Sequence, residues 1–149
     1  MKSMHLSKLL LMGAIHFVVM FILMYSMVDA FKNVYLNFNQ VYMAAIMTAP
    51  MLILEVVLMG GMYENKKALN ILLGISAGAL IIFFFFIRQQ TFINDKEFLR
   101  SMIPHHAGAI LMCDKASLEE AEIKELCESI VESQQKEIDQ MKKILDRLD

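Results

Sequence analysis

Three long apolar runs fill the first two-thirds of the chain. They cover about 9–28, 41–62 and 68–87. A helix of about 20 residues rises about 30 Å, which is the thickness of the hydrocarbon core of a bilayer. The pattern therefore predicts three transmembrane helices in a membrane domain that covers 1–93.

The last third of the chain, 94–149, has apolar positions at helical spacing between many charged ones. Asn94-x-x-Glu97 and Ser117-x-x-Glu120 match the capping box that begins helices, and Pro104 predicts a kink in the first helix. A two-helix hairpin of roughly 55 residues buries too little apolar surface to be stable alone. We expect it to pack on a second copy, which would form a four-helix bundle by dimerisation, or on the membrane part.

Charge sets the expected orientation. Loops rich in lysine and arginine stay in the cytoplasm. Lys2 and Lys8 precede the first span, and Lys66 and Lys67 lie in the loop between the second and third spans. We therefore expect the N-terminus and that loop in the cytoplasm. The loop between the first two spans has only Lys32, which Asp29 offsets. The fold class is therefore all-α, with three transmembrane helices followed by an extracytoplasmic hairpin. That hairpin carries 13 acidic and 8 basic residues, which argues against nucleic-acid binding.

Methionine is abundant, with 14 in 149 residues, and in the first two spans it recurs at every fourth position. The rows are Met12, His16, Met20 and Met24 in the first span, and Met43, Met47, Met51, Glu55 and Met59 in the second. Residues four apart share a helix face. If the two spans are antiparallel and joined by a short loop, positions whose numbers sum to about 71 lie at equal depth. His16 then lies opposite Glu55, with methionine pairs on either side.

Thioether sulfur is a soft ligand that suits Cu(I) and Ag(I), and a carboxylate can orient a ligating histidine. The rows therefore predict an intramembrane metal relay. Its members would be Met12, His16, Met20, Met24, Met47, Met51, Glu55 and Met59. The alternative is methionine-rich helix packing with a buried hydrogen bond between His16 and Glu55.

A second cluster lies in the tail. Met102, His105 and Met112 share one helical strip, and Met102, His106 and Cys113 share the adjoining one. Adjacent histidines diverge by about 100° on a helix. We therefore expect each to bind its own metal or one of them to face a partner helix, unless the kink at Pro104 turns both toward one ion. The alternative is an exposed histidine pair beside a core methionine.

The two cysteines are not expected to pair within one hairpin. With a turn near residues 116–117, Cys113 and Cys127 differ in height by about six residues, or roughly 9 Å. That offset exceeds disulfide reach. A bridge between protomers or a metal-thiolate role remains open.

Two motifs in the tail carry a family resemblance. They are Phe98-Leu99-x-x-Met102-Ile103-Pro104-His105-His106-x-x-Ala109-Ile110-x-Met112 and Gln134-x-x-Glu137-Ile138-x-x-Met141. Together they resemble the domain of unknown function 305 family over about 95–148. The resemblance implies a ferritin-like helical bundle, an extracytoplasmic location in bacteria and a link to copper. Carried over by position, it implies Met102, His105, His106, Met112 and Met141 as ligands, with Gln134 and Glu137 as supporting polar residues.

These features predict a copper-binding protein anchored in a bacterial inner membrane, with Cu(I) as the main ion and Ag(I) as its mimic. The outer hairpin would capture the ion and the methionine rows would relay it. Expected partners are membrane lipid, a second copy of the chain, and a copper exporter or chaperone. The alternatives are a tethered metal buffer without transport, and a metal-free adaptor that docks a partner through its acidic helix. An enzyme is not expected, because no nucleophile–base constellation is present.

Overall fold

A computed structural model describes residues 6–148, and this part of the chain folds into helices without any strand. The five α-helices, in chain order, are α1 (Leu6–Leu23), α2 (Phe38–Met59), α3 (Lys66–Gln89), α4 (Asp95–Lys115) and α5 (Ala121–Leu148). Short 3₁₀ turns follow α1 and α2. The all-helical prediction is confirmed.

The first three helices are long and apolar enough to cross a membrane. With their 3₁₀ turns they extend over Leu6–Met27, Phe38–Met62 and Lys66–Gln89. Between 6% and 28% of each apolar window is buried inside the chain, so most of their side chains are free to meet lipid. The sequence prediction of three such helices is confirmed by length and composition.

The contact between α1 and α2 has a different register from the predicted one. The ring of His16 hydrogen-bonds the hydroxyl of Thr48 across 3.2 Å, and Gly13 lies against the side chain of Leu52. Numbers of facing residues therefore sum to 64 or 65 instead of 71. The difference of about six residues is a displacement of about 9 Å along the helices.

The register of α1 against α2 differs from the predicted one because α1 ends and α2 begins at other residues than the apolar runs do. The first run extends to about residue 28, but α1 ends at Leu23; the second begins near residue 41, but α2 begins at Phe38. Both changes move the centre of the connection toward the N-terminus. The predicted pairing of His16 with Glu55 is therefore wrong, and so are the methionine pairs of the same register.

The chain divides into two compact units. One contains α1 and residues 39–92, and we call it the span unit. The other combines residues 24–38 with the chain from Ile93 onward, and we call it the α4–α5 unit. The sequence interpretation assigned residues 24–38 to the membrane domain, as the end of the first span and the loop that follows it. In the structure this segment belongs with α4 and α5.

The core of the α4–α5 unit lies between its two helices and the 24–38 segment. Its buried residues are Leu99, Ile103, Ala107, Ile110, Ile138 and Leu145. Val28 and Tyr35 from the segment pack against this cluster. Because Gly108 has no side chain, the carbonyl oxygen of Met27 can approach α4; a Cβ there would lie 3.3 Å from it. The segment thus covers apolar surface that two helices alone would expose.

Polar contacts also hold the segment to α5. Asn33 is fully buried, and its amide donates to the carboxylate of Asp29 across 2.6 Å. The ammonium group of Lys142 donates to the side-chain oxygen of Asn33 and to the carbonyl of Lys32. These bonds pair polar groups that would be costly to bury alone.

Helix α4 begins as predicted, but α5 does not. The side chain of Asn94 accepts the N–H of Glu97 at 3.0 Å, which is the expected N-cap. Residues 117–120 are not helical, and α5 begins at Ala121. The capping box predicted at Ser117 is therefore wrong.

Cys113 and Cys127 form a disulfide, with their Cα atoms 5.3 Å apart. The expectation that they do not pair is wrong. Residues 117–120 are not helical, and an extended chain can span up to about 3.3–3.6 Å per residue. This segment therefore carries the chain beyond the end of α4, and α5 then runs back alongside α4. All of 121–126 are consequently exposed, and Cys127 is the residue that comes level with Cys113.

Helix α4 continues through Pro104, and a side chain donates to the carbonyl that loses its helical donor there. Proline has no N–H to give to the carbonyl four residues earlier, which here belongs to Arg100. The buried amide of Asn37 donates to that carbonyl at 3.4 Å and to the carbonyl of Tyr35 at 2.9 Å. The 24–38 segment therefore compensates for the proline.

Replacing this amide tests the compensation. We expect Asn37→Ala to lower the free energy of unfolding by about 1–2 kcal/mol, since buried acceptors lose their donor. In a Pro104→Ala background the loss should be smaller, because residue 104 then supplies an N–H to Arg100. The measurement is unfolding of the full-length protein in detergent by circular dichroism. The exposed control Lys136→Ala should change stability by less than about 0.5 kcal/mol. An equal loss from Asn37→Ala in both backgrounds would contradict this account.

Candidate metal site

Helix α4 turns one face to the core and the other to solvent. The exposed strip consists of Phe98, Met102, His105, Ala109 and Met112, at alternating intervals of four and three residues. Phe98 is 50% exposed and Met112 is 54% exposed, while Met102 and Ala109 are half-buried. This spacing keeps the five side chains in one row. The predicted strip of Met102, His105 and Met112 is therefore a solvent-facing row of two thioethers and one imidazole.

His106 lies about 100° around the helix from His105, with the two ring centroids 6.0 Å apart, and it is buried against α5. Its Nδ1 lies 2.9 Å from the carbonyl oxygen of Met102, and its Nε2 lies 2.6 Å from Oε2 of Glu137. A carbonyl only accepts, so Nδ1 carries a proton. Another proton lies between Nε2 and the carboxyl group, and both ring nitrogens are engaged.

The two adjacent histidines are therefore not equivalent as ligands. A metal ion needs a free lone pair on a ring nitrogen, and at His106 the ion would have to displace Glu137 from Nε2. The side chain of Glu137 is 53% exposed, so it can swing away into solvent. His105 has its ring at the surface and needs no such rearrangement.

The second motif places three side chains on one face of α5. Gln134, Glu137 and Met141 follow at intervals of three and four residues. Met141 packs against the core of the α4–α5 unit, and Gln134 is half-buried. Glu137 hydrogen-bonds His106 at the ring nitrogen that a metal would use. It is placed to compete with an ion or to bind it directly, whereas the sequence reading gave it a supporting role.

Cys113 is held in the disulfide with Cys127 and has no thiolate to offer in this state. Its predicted role as a metal ligand does not fit the oxidised protein. In the described part of the chain, no three residues among histidine, cysteine, aspartate and glutamate are grouped to hold a metal. The sulfur donors beside the exposed ring of His105 are the thioethers of Met102 and Met112, and thioethers suit soft ions.

In the span unit, His16 and Glu55, the two ionisable members of the intramembrane rows, each have a hydrogen-bond partner outside the rows. Thr48 gives its own proton to the carbonyl of Ala44, so it accepts from Nδ1 of His16. Tyr63 donates to Glu55 at 2.9 Å. Burial raises the pKa of the Tyr63 phenol to about 12, so the phenol stays neutral.

The methionines of the predicted rows differ in exposure. Half-buried members are Met20 and Met51, and exposed members are Met12, Met43, Met47 and Met59. Met24 lies outside α1, in the following 3₁₀ turn.

Sequence reasoning missed Thr48, Tyr63 and Asn37 as partners of chemically important groups. A threonine or tyrosine in an apolar run carries no periodic signal of its own. Pro104 did offer a signal for Asn37, because a proline inside a helix always leaves one carbonyl without its donor. Which residue supplies the donor depends on the tertiary fold.

Comparison with known proteins places the tail in a defined group. A family model described as "Domain of unknown function (DUF305)" matches residues 88–145, which include the disulfide, both histidines and Glu137. The "Uncharacterized protein L153" of Acanthamoeba polyphaga mimivirus is 35% identical over 120 residues. That alignment covers 79% of this chain and 77% of the viral protein. No solved structure matches the chain.

The different environments of the two histidines predict different reactivities. Diethyl pyrocarbonate acylates unprotonated ring nitrogens, so we expect His105 to react about tenfold faster than His106, whose two hydrogen bonds must open first. Peptide mapping of the full-length protein by mass spectrometry measures both rates. Glu137→Gln should raise the rate at His106 alone, and Glu132→Gln is the matched control. Equal rates at the two histidines would show that Nε2 of His106 is free.

Proposed function

This chain belongs to the DUF305 family, and we propose from that premise that it is a membrane-anchored copper-binding protein. The ion would be Cu(I), with Ag(I) as its mimic, and its site would be the exposed strip of α4. The span unit would serve as the anchor. Copper is the cargo in this proposal, and the protein acts on it by binding.

The observation that carries the proposal is the row of Met102, His105 and Met112 on the solvent-facing side of α4. Two thioethers and an imidazole form a soft donor set that requires no thiolate. These donors therefore fit copper even though Cys113 is oxidised. A soft cation would gain little from the acidic face of α5, because hard carboxylates suit other metals.

The contacts of the span unit favour a tethered buffer or chaperone over a relay. His16 and Glu55 are bonded to Thr48 and Tyr63, and several methionines of the rows point outward. Neutral thioethers release an ion readily to a stronger site, so the protein would hand copper to an exporter or chaperone in the same membrane.

Two features support placing the α4–α5 unit on the non-cytoplasmic face. Disulfides such as Cys113–Cys127 persist in oxidising compartments. The loop before α3 carries Lys66 and Lys67, and basic loops stay in the cytoplasm. With three spans, both features give the same orientation.

The exposed strip also supports the proposed dimer. Its alternating intervals of four and three residues are those of a coiled-coil seam, and Phe98 and Met112 leave apolar surface uncovered. A second copy packed along this strip would complete a four-helix bundle and bring the donors of two chains together.

A metal-free adaptor is the second candidate. The first turns of α5 project beyond α4, and there Ile123 and Leu126 are 46% and 59% exposed among glutamates. An amphipathic end of this kind suits a partner protein. A chain that retains no metal would favour this function.

Counting metal tests the copper proposal. We expect the full-length protein in detergent to retain Ag(I) or Cu(I) after desalting. His105→Ala, or Met102→Leu with Met112→Leu, should weaken binding at least about tenfold, which is about 1.4 kcal/mol. Elemental mass spectrometry and competition with a chromogenic chelator measure stoichiometry and affinity.

Matched controls are available for each substitution. Met141→Leu replaces a methionine of the core and should leave the affinity unchanged. Met20→Leu with Met51→Leu should also leave metal per chain unchanged, because the span unit holds no ion in this proposal. A loss in the latter variant equal to that of the strip variants would restore the relay.

Labelling tests the orientation. In intact cells treated with a membrane-impermeant phosphine, we expect Cys113 and Cys127 to react with an impermeant maleimide. The Cys113→Ser, Cys127→Ser variant provides the blank. Labelling that appears only after the cells are lysed would place the α4–α5 unit in the cytoplasm.

A further inference from the structure

The Cys113–Cys127 disulfide lies in an open groove at the end of the α4–α5 pair. The groove has a volume of about 490 Å³, and its lining includes both cysteines together with Leu118 and Val131. Both cysteines are partly exposed. A small thiol can therefore reach the sulfurs, as thiol–disulfide exchange requires.

The charges around the groove favour a cation. Asp114, Glu128 and Glu132 line it, against the single base Lys124. Carboxylates at this distance from a solvent-exposed site raise the local concentration of cations without being soft ligands themselves. The acidic lining therefore concentrates free cations near the groove, whereas the anionic bis-thiolate complex itself gains nothing from these carboxylates.

The two helices are held together independently of the disulfide. Ile103, Ile110 and Ile138 are buried between them, and Lys142 ties α5 to the 24–38 segment. Breaking the sulfur–sulfur bond leaves these contacts in place. The two thiols of the reduced protein then stay on facing helices, with backbones 5.3 Å apart at Cα.

We infer that the reduced Cys113–Cys127 pair is a second soft-metal site, which takes one Cu(I) between two thiolates. Metal–sulfur bonds of about 2.3 Å place the two sulfurs roughly 4.6 Å apart on opposite sides of an ion, a separation that rotation about the two Cα–Cβ bonds reaches from Cα atoms 5.3 Å apart. The site exists only in the reduced protein, so the oxidation state of the pair switches it on or off. This inference rests on the proposed function only for the choice of ion.

The chemistry balances with a small-molecule thiol as the reductant. Two thiols reduce the protein disulfide by exchange through a mixed disulfide, which yields the protein dithiol and one small-molecule disulfide. The dithiol then binds Cu⁺ and releases two protons, which gives a bis-thiolate complex with one negative charge. Reoxidation of the two thiolates by a small-molecule disulfide returns two thiols, takes up two protons and releases Cu⁺.

Three forms of the full-length protein in detergent test the inference. The first is oxidised, the second is reduced with a phosphine and desalted without oxygen, and the third is reduced and then alkylated. Each is given Cu(I) from a bicinchoninate complex, and copper per chain is counted. We expect the reduced form to hold one more ion than the other two and to gain the ultraviolet absorption of a Cu(I) thiolate.

Variants separate this inference from the proposed function. His105→Ala with Met112→Leu should lower the copper held by the oxidised form and leave the additional ion of the reduced form in place. If the oxidised protein holds no copper and the reduced protein holds one ion, the strip proposal fails and the thiolate site stands.

Three outcomes would overturn the thiolate site. Equal copper in the oxidised, reduced and alkylated forms is the first. The second is an additional ion that persists in the Cys113→Ser, Cys127→Ser variant after reduction. The third is loss of the helical circular dichroism signal on reduction, which would show that the disulfide and not the core keeps the thiols on facing helices.

Discussion

The burial of one face of α4 is the constraint on which the rest of the α4–α5 unit depends. Leu99, Ile103 and Ile110 pack against α5 and the 24–38 segment, and burial of such side chains supplies the main driving force for folding. Once that face is fixed, helical geometry turns Met102, His105 and Met112 outward. The same packing requires Asn37 to satisfy the carbonyl that Pro104 leaves without a donor. The orientation of α4 thus sets three things together: the residues of the core, the donor to the carbonyl that precedes Pro104, and the residues of the exposed strip.

That orientation gives the two adjacent histidines different roles. His106 is turned inward, where an unpaired imidazole would be costly to bury, and its bonds to Met102 and Glu137 meet that requirement. His105 is turned outward, where its ring is exposed to solvent. A pair that looks like a chelate in the sequence is, in the fold, one packing residue and one accessible donor.

The span unit shows how a regular pattern can mislead. A row at every fourth residue drifts by about 40° per step on a helix of 3.6 residues per turn, so a long row cannot face one neighbour throughout. The outward positions of Met12, Met47 and Met59 are what this drift produces. Methionine is also flexible and apolar enough to contact lipid without penalty.

The sequence by itself determined the three apolar helices, the N-cap at Asn94, the two motifs and the strip of Met102, His105 and Met112. These features follow from hydrophobic periodicity and local chemistry, and both are set by residues that are close together in the sequence. The tertiary structure alone decided the register of α1 on α2, the start of α5, the disulfide and the partner of His106. Each of these depends on where a connection ends, and a shift of a few residues moves a side chain by several ångströms without altering the pattern. The membership of residues 24–38 in the α4–α5 unit is of the same kind, because only the uncovered face of a folded helix pair creates the site into which that segment packs.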